Sequence, residues 1–380
     1  MLTPEHYRTP GQYIQKLLDE RGWTQRVLAI VLGVDETGLN KIITGKRPLD
    51  AGLSLSLSAI FDVPAETFLQ LQKDYDLALA RLVARPDPAL ADRARLFGGL
   101  PITEMVKRGW LPGVMDIKNV AELELAIHAF FGTSSTDEIH RVAHAAKKTD
   151  QDLPASVTQI AWLHRVRQIA KEMMVARFTE HSGIEALTAL QQLLGNAEGV
   201  RKVPRILSDS GIRFVIVEAL PGAKIDGVCT WLDDHSPVIG MSLRFDRIDN
   251  FWFVLRHEIE HVIRGHGKES AIIDAELEGD KAGVGGEVPE EERIANHAAA
   301  QFCVDQAALA RFVAKKAPYF AERDIIGFAR TMHVHPGLVA GQLQRQLGRY
   351  DKFRNHLVKI RSIVLPNVTS DGWGNVALEL

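Results

Sequence analysis

Apolar positions along the chain recur at two periods. Phe251, Val254, Leu255, Ile259, Val262 and Ile263 follow helical spacing, and Gly265 stands where a helix stop is expected. Residues 120–131 and 160–174 repeat the helical pattern inside a stretch from Ala89 to about Gly199, with Pro112 and Pro154 as breaks. Residues 212–219, 227–232 and 237–243 are instead short runs rich in Val and Ile, joined by Pro221-Gly222 and Asp233-Asp234 turns, and they predict strands. The run at 237–243 is expected to be a sheet edge. Beyond Asn367 the pattern fades into a poorly ordered or docking tail.

Near the start of the chain two short helices are predicted with a sharp turn between them. Thr24-Gln25-Arg26-Val27-Leu28-Ala29, then Gly33-Val34, then Asp35 through Thr44 and Gly45 gives a helix with a buried Leu-Ala pair, a glycine turn and a second helix. Thr24 and Asp35 are the expected N-caps. Leu39 and Ile42 anchor the second helix, which leaves Glu36, Thr37, Asn40 and Lys41 outward, where base edges can be reached. Gln25, Arg26, Lys46 and Arg47 are placed for phosphate contacts, which fix orientation rather than sequence. Residues 1–81 carry nine basic and ten acidic side chains, so there is no bulk positive field; from Arg21 to Arg47 the count is five against two, enough for a local basic face.

The densest chemistry lies in His257-Glu258-Ile259-Glu260-His261. On a helix, two imidazoles four residues apart project from one face and can grip one metal ion, with Glu258 beside the open coordination position as a base. A third ligand is expected from a second helix beginning near Pro289. Glu292 is favoured over Glu290 and Glu291 because Ala295, Asn296 and Ala299 share its face and let two helices approach closely. Three protein ligands leave a fourth position for water, whose pKa the metal lowers towards ~7. Zinc suits two imidazoles and a carboxylate, with manganese or iron as alternatives.

The H-E-x-x-H helix followed by Glu292-Arg293-Ile294-Ala295-Asn296 resembles the ImmA/IrrE family of metallopeptidases over roughly residues 200–345, including Ile225-Asp226-Gly227 and Arg247-Ile248-Asp249-Asn250-Phe251-Trp252-Phe253. The resemblance implies a compact zinc peptidase that cleaves a partner repressor, with His257, His261 and Glu292 as ligands and Glu258 as base. It also suggests a transition-state contact from His335, which opens a predicted helix; packing or capping is the competing role. Many members carry Leu-Gly where this chain has Ile259-Glu260, and the extra carboxylate of Glu260 is expected to face solvent. The N-terminal segment, from Thr9-Pro10-Gly11 through Gly45-Lys46-Arg47-Pro48 to Phe68-Leu69-Gln70-Leu71, is similar to the HigA-type antitoxin branch of the Xre repressors. That likeness implies a homodimer on a palindromic operator and, in some members, a toxin partner.

Together these patterns predict an α+β, mainly helical chain. A helix-turn-helix bundle is expected in 1–82, a helical middle segment in 89–199, a zincin-like domain with a small β-sheet in 200–350 and a C-terminal tail in 351–380, with Pro86-Asp87-Pro88 as linker. In the middle segment, Trp162, His164, Arg165 and Arg167 are expected on a packing helix with a charged outer face. The stretch 270–292 holds eight acids against one lysine and reads as a solvated connector or a lid. With 380 residues, 46% of them hydrophobic, core is ample for two or three domains. Cys229 and Cys303 are too few for a disulfide framework and are expected reduced and buried. No apolar run approaches the ~18 residues of a membrane span and no signal-peptide pattern is visible, so a cytoplasmic protein is expected. The resulting expectation is a DNA-binding regulator whose zinc peptidase half cleaves a repressor or the protein itself. The alternative is a regulator or antitoxin whose peptidase-like half is a non-proteolytic sensor or interaction module.

Overall fold

A computed structural model describes residues 8–83, 90–133, 147–148, 155–275 and 289–377. The chain divides into two compact units, Met1–Ala89 and Leu90–Leu380. The linker expected at Pro86-Asp87-Pro88 lies outside the described residues, as does most of the acidic stretch, residues 276–288.

The first unit holds five helices: α1 (Pro10–Arg21), α2 (Gln25–Leu32), α3 (Glu36–Ile43), α4 (Ala51–Phe61) and α5 (Ala65–Val83). Helices this short are marginal alone, and both expected caps are present. The Thr24 hydroxyl accepts from the Val27 N–H at 3.3 Å, and the Asp35 carboxylate accepts from the Gly38 N–H at 2.7 Å. Gly33, at φ 68°, makes the left-handed turn that separates α2 from α3. Leu28, Leu39, Ile42, Leu18, Leu57 and Phe68 close one small core beneath the pair.

The second unit begins with α6 (Leu90–Gly99), α7 (Ile102–Lys107), α8 (Val120–Phe131) and the two-residue β1 (Lys147–Lys148). It continues through α9 (Val157–Glu172), α10 (Glu180–Gln191), α11 (Val203–Asp209), β2 (Arg213–Val217), β3 (Ile225–Trp231) and β4 (Pro237–Met241). Next come α12 (Ile248–Ile263), β5 (Ile272–Ala275), α13 (Glu290–Cys303), α14 (Gln306–Lys316), α15 (Glu322–Thr331), α16 (Pro336–Leu347), α17 (Arg361–Val364) and β6 (Thr369–Asp371). The strands form one mixed sheet in the order β1-β5-β3-β4-β2-β6. Successive side chains alternate between its faces. Val215, Val217, Val228 and Ile273 join α9 in one core, while Phe214, Ile216, Cys229 and Ile239 join α12 in the other. A sheet covered on both faces explains why its strands read as continuous apolar runs. The fold is therefore α+β and mainly helical.

Two expectations need correction. Strand β4 is interior, parallel to β2 on one side and antiparallel to β3 on the other, so it cannot be the free edge. Helix α9 presents no charged outer face at Trp162 or Arg165, which are both fully buried. The Arg165 guanidinium donates to Asp371 at 3.0 and 2.7 Å, and the Trp110 indole donates to the same carboxylate at 2.7 Å. That carboxylate belongs to β6, so of the two alternatives for the last segment the poorly ordered one falls and the docking one stands: it is a sheet strand, parallel to β2 and pinned by a buried ion pair. A charge with no exposed surface must be paired, and the partner here is 206 residues away.

His164, also on α9, packs against the rings of Phe130 and Phe131 at 5.2 and 5.5 Å. Burial, reinforced by Lys171 and opposed by the Phe130 carbonyl, pulls its pKa down to about 4. The folded protein thus binds this proton less readily than the unfolded chain, so the stability it contributes is complete above pH ~6.5 and falls as pH drops towards 4. Chemical denaturation from pH 7 to 4 should show a loss of up to about 3 kcal/mol that His164→Phe removes. An unchanged pH slope in the variant would contradict this.

Candidate metal centre and DNA-reading helix

Helix α12 carries the H-E-x-x-H string into the middle of the second unit. Its run Phe251-Trp252-Phe253-Val254-Leu255 is buried against β3, β4, α13 and α16, and this holds the following turn rigid. His257 and His261 emerge on one face, as their spacing predicts. Helix α13 lies alongside, and the buried Ala295 and Ala299 permit the approach that brings Glu292 to the imidazoles. Glu290 is exposed and paired with Arg293, and Glu291 is exposed, so the helix itself selects Glu292.

The donors converge closely. His257 Nε2 lies 3.1 Å from His261 Nε2 and 3.1 Å from Glu292 Oε2, and His261 Nε2 lies 3.4 Å from Glu292 Oε1. A fourth group joins them: Asp274 Oδ2, from β5, is 3.5 Å from His257 Nε2. One donor atom from each of His257, His261, Asp274 and Glu292 lies within 4.8 Å of every other. A tetrahedral ion with bonds of about 2.0–2.1 Å spaces its donors roughly 3.3–3.4 Å apart, close to the 3.1 and 3.4 Å separations among His257, His261 and Glu292 and to the 3.5 Å between His257 and Asp274. The set could hold a metal ion. The exposed fractions are 0% for His257, Glu258, His261 and Asp274 and 3% for Glu292.

Electrostatics in this dry pocket follow from that crowding. Burial alone would depress His257, but the Asp274 and Glu292 carboxylates outweigh it and raise the imidazole to about 9. Burial would raise Asp274, yet His257 and His261 hold it down at about 2. Glu258 is pushed well above the usual carboxylate range by burial and by the charges of Asp274, Glu292 and Asp226. Among the described residues no N–H donor reaches either of its oxygens. Room for it exists because β3 has glycine at 227, where a Cβ would stand 2.1 Å from Glu258 Oε1.

Two contributors escaped the sequence reading. Asp274 sits on a four-residue strand in a stretch read as connector; the Ala271-Ile272-Ile273 run ahead of it was the available signal. His266 has no ligand spacing, yet its Nδ1 is 3.0 Å from His261 Nδ1, while its carbonyl accepts from the Trp231 indole at 2.8 Å. It therefore fixes the His261 ring from behind, the usual office of a group behind a metal ligand.

One expectation about a neighbouring residue fails. Glu260 does not face solvent; it is buried between Arg256 and Arg264 at 2.7 and 2.6 Å, which hold its carboxyl low against the effect of burial. His335 caps α16, its Nδ1 accepting from the Gly337 N–H at 3.0 Å. Ile248 packs beside that cap, at the opposite end of α12 from His257 and about two and a half turns away. Capping, rather than a transition-state contact, is what this geometry gives. Cys229 and Cys303 are buried thiols, as expected.

In the first unit α3 exposes Glu36, Thr37, Asn40 and Lys41 while burying Leu39 and Ile42. Arg26, Lys46 and Arg47 are exposed as well. Gln25 is half-buried, its amide donating to Gln15 on α1 at 3.0 Å, so it braces α2 against α1.

Residues 14–68 match the family model for helix-turn-helix domains. No curated protein and no solved structure matches the chain. The chain carries a DNA-binding helix-turn-helix domain and is a DNA-binding transcriptional regulator that engages operator DNA. Among the described residues no helix is long and apolar enough to cross a membrane.

The pocket predicts a measurable metal dependence. Purified wild type should carry a divalent metal ion at about one equivalent, and that ion at 100 times its Kd should add about 2.7 kcal/mol to stability. His257→Ala should lose both effects in elemental analysis and thermal unfolding.

Proposed function

We propose that the chain is an operator-binding regulator whose second unit is a zinc peptidase, acting on a repressor protein or on the chain itself. The observation that carries the enzymatic half is the convergence of His257, His261 and Glu292 with Glu258 buried beside them. These three hold the zinc, which when bound supplies Lewis acidity to a scissile carbonyl and to an attacking water. Glu258 takes the proton of that water on its carboxylate and returns it to the leaving amine nitrogen as the C–N bond breaks. His266 keeps His261 in register through the ring contact.

On the DNA side, Glu36, Thr37, Asn40 and Lys41 read bases while Arg26, Lys46 and Arg47 hold phosphates. The chain acts as a homodimer, since α2 exposes Val27, Ile30 and Val31 and the turn after it exposes Val34, an apolar surface that a second copy would cover. Two copies place two recognition helices on half-sites about 34 Å apart. The toxin partner implied by the antitoxin likeness has no residue here that argues for it.

Two experiments test the two halves. With zinc present, wild type should cleave its own chain or a co-expressed repressor, and Glu258→Gln should slow cleavage by at least about a hundredfold while still binding zinc; equal cleavage by both would sink the peptidase. In gel shifts with the chain's own promoter, Asn40→Ala with Lys41→Ala should weaken binding by about 1–3 kcal/mol for each base-reading side chain removed, with folding intact by circular dichroism. Unaltered affinity would move the reading surface elsewhere.

A further inference from the structure

We propose that Asp274 is a fourth protein ligand of the metal in a resting state, so that the peptidase centre is closed except when β5 lifts from β3, and the cleavage tested above proceeds through that open state. This rests on the zinc reading above and adds to it a regulatory state. The position of Asp274 follows from the sheet. In β5, Ile273 points into the α9 core, so by strand alternation its neighbour Asp274 faces α12. Its register partner on β3 is Gly227, the residue whose missing Cβ makes room for Glu258. A bulge between Ile225 and Gly227 re-aims this part of β3. Sheet and helix thus deliver Asp274 and Glu258 into one dry space beside the two imidazoles.

The distances give Asp274 the standing of a ligand. Its 3.5 Å separation from His257 Nε2 falls in the same range as the 3.1 and 3.4 Å separations that place Glu292. Two imidazoles and two carboxylates fill a tetrahedral shell, and a filled shell is the mark of a structural zinc site, whereas a catalytic one keeps a corner for water. Burial agrees: none of His257, His261 and Asp274 has any exposed surface, so in this arrangement none is open to a peptide carbonyl. Opening the centre means withdrawing the Asp274 carboxylate, by displacement of β5 from β3.

The test uses the full chain loaded with Co2+ in place of zinc, with azide as the probe of an open corner. Wild type should give the intense visible bands of a four-coordinate site, unchanged by azide. Asp274→Ala and Asp274→Asn should bind Co2+ more weakly in competition with a chromophoric chelator, by at least the roughly tenfold that loss of a mere outer-shell partner costs. Their spectra should shift on adding azide. Wild-type bands that shift with azide would overturn the closed centre, and this measurement needs no variant to fold. Variant affinities within twofold of wild type would overturn the ligand role, with Asn as the near-isosteric control for folding. A wild type that binds no more Co2+ than His257→Ala would bring down the metal reading itself, an outcome distinct from the other two.

Discussion

The second unit is organised around one physical demand: His257, Glu258, His261, Asp274 and Glu292 have been taken almost wholly out of water in one place. Isolated charges in such surroundings cost several kcal/mol each, so the groups must neutralise one another or hold a cation. Three carboxylates and two imidazoles do not balance by themselves. Without a metal, the imbalance shows as proton uptake, with His257 raised to about 9 and Glu258 held well above its usual range. A divalent cation relieves the same imbalance while displacing protons. The rest of the unit keeps these five groups in place: the apolar run of α12 behind them, the small residues of α13 beside them, and Gly227 beneath Glu258.

How much of this was legible depended on the sequence distance between interacting groups. The two histidines and Glu258 lie within five residues, and helical periodicity alone fixes their common face. Glu292 could be singled out among three successive acids because alanines repeat on its side of α13. The caps Thr24 and Asp35, with Gly33 between them, carried the helix-turn-helix because each acts over three or four residues. Asp274 was hidden because β5 has only four residues, followed by an acidic run that masks any alternation. The interior position of β4 was hidden too, since β2 pairs with β4 in parallel and skips β3, and no local pattern encodes that order. Arg165 gave no local hint of burial, because Asp371, the group that makes burial tolerable, arrives with the last strand.

The two units also differ in how they meet the cost of their polar groups. The helix-turn-helix unit keeps its chemistry outside: Asn40, Lys41, Lys46 and Arg47 are solvated, and beneath them lies a small apolar core. Solvated groups are free to exchange water for phosphate and base edges, and near-neutral overall charge leaves sequence readout a larger share of the affinity. The second unit does the opposite, sheltering its reactive groups and giving up access.

Shelter of that kind has a consequence under the proposal that this regulator also cuts peptide bonds. A centre open at all times would destroy its target, or itself, without reference to any signal. A centre whose fourth corner is filled by a residue on a short strand near the sheet's edge is instead coupled to the pairing of that strand. β5 meets β3 over four register pairs with a bulge at one end, and displacing it would draw Ile273 out of the α9 core. The proposed ligands on α12 and α13 are held by helices packed in the large core. Catalytic competence would then turn on one short strand while the DNA-binding fold stays intact, which separates the repressing and cutting states by a local rearrangement rather than by unfolding.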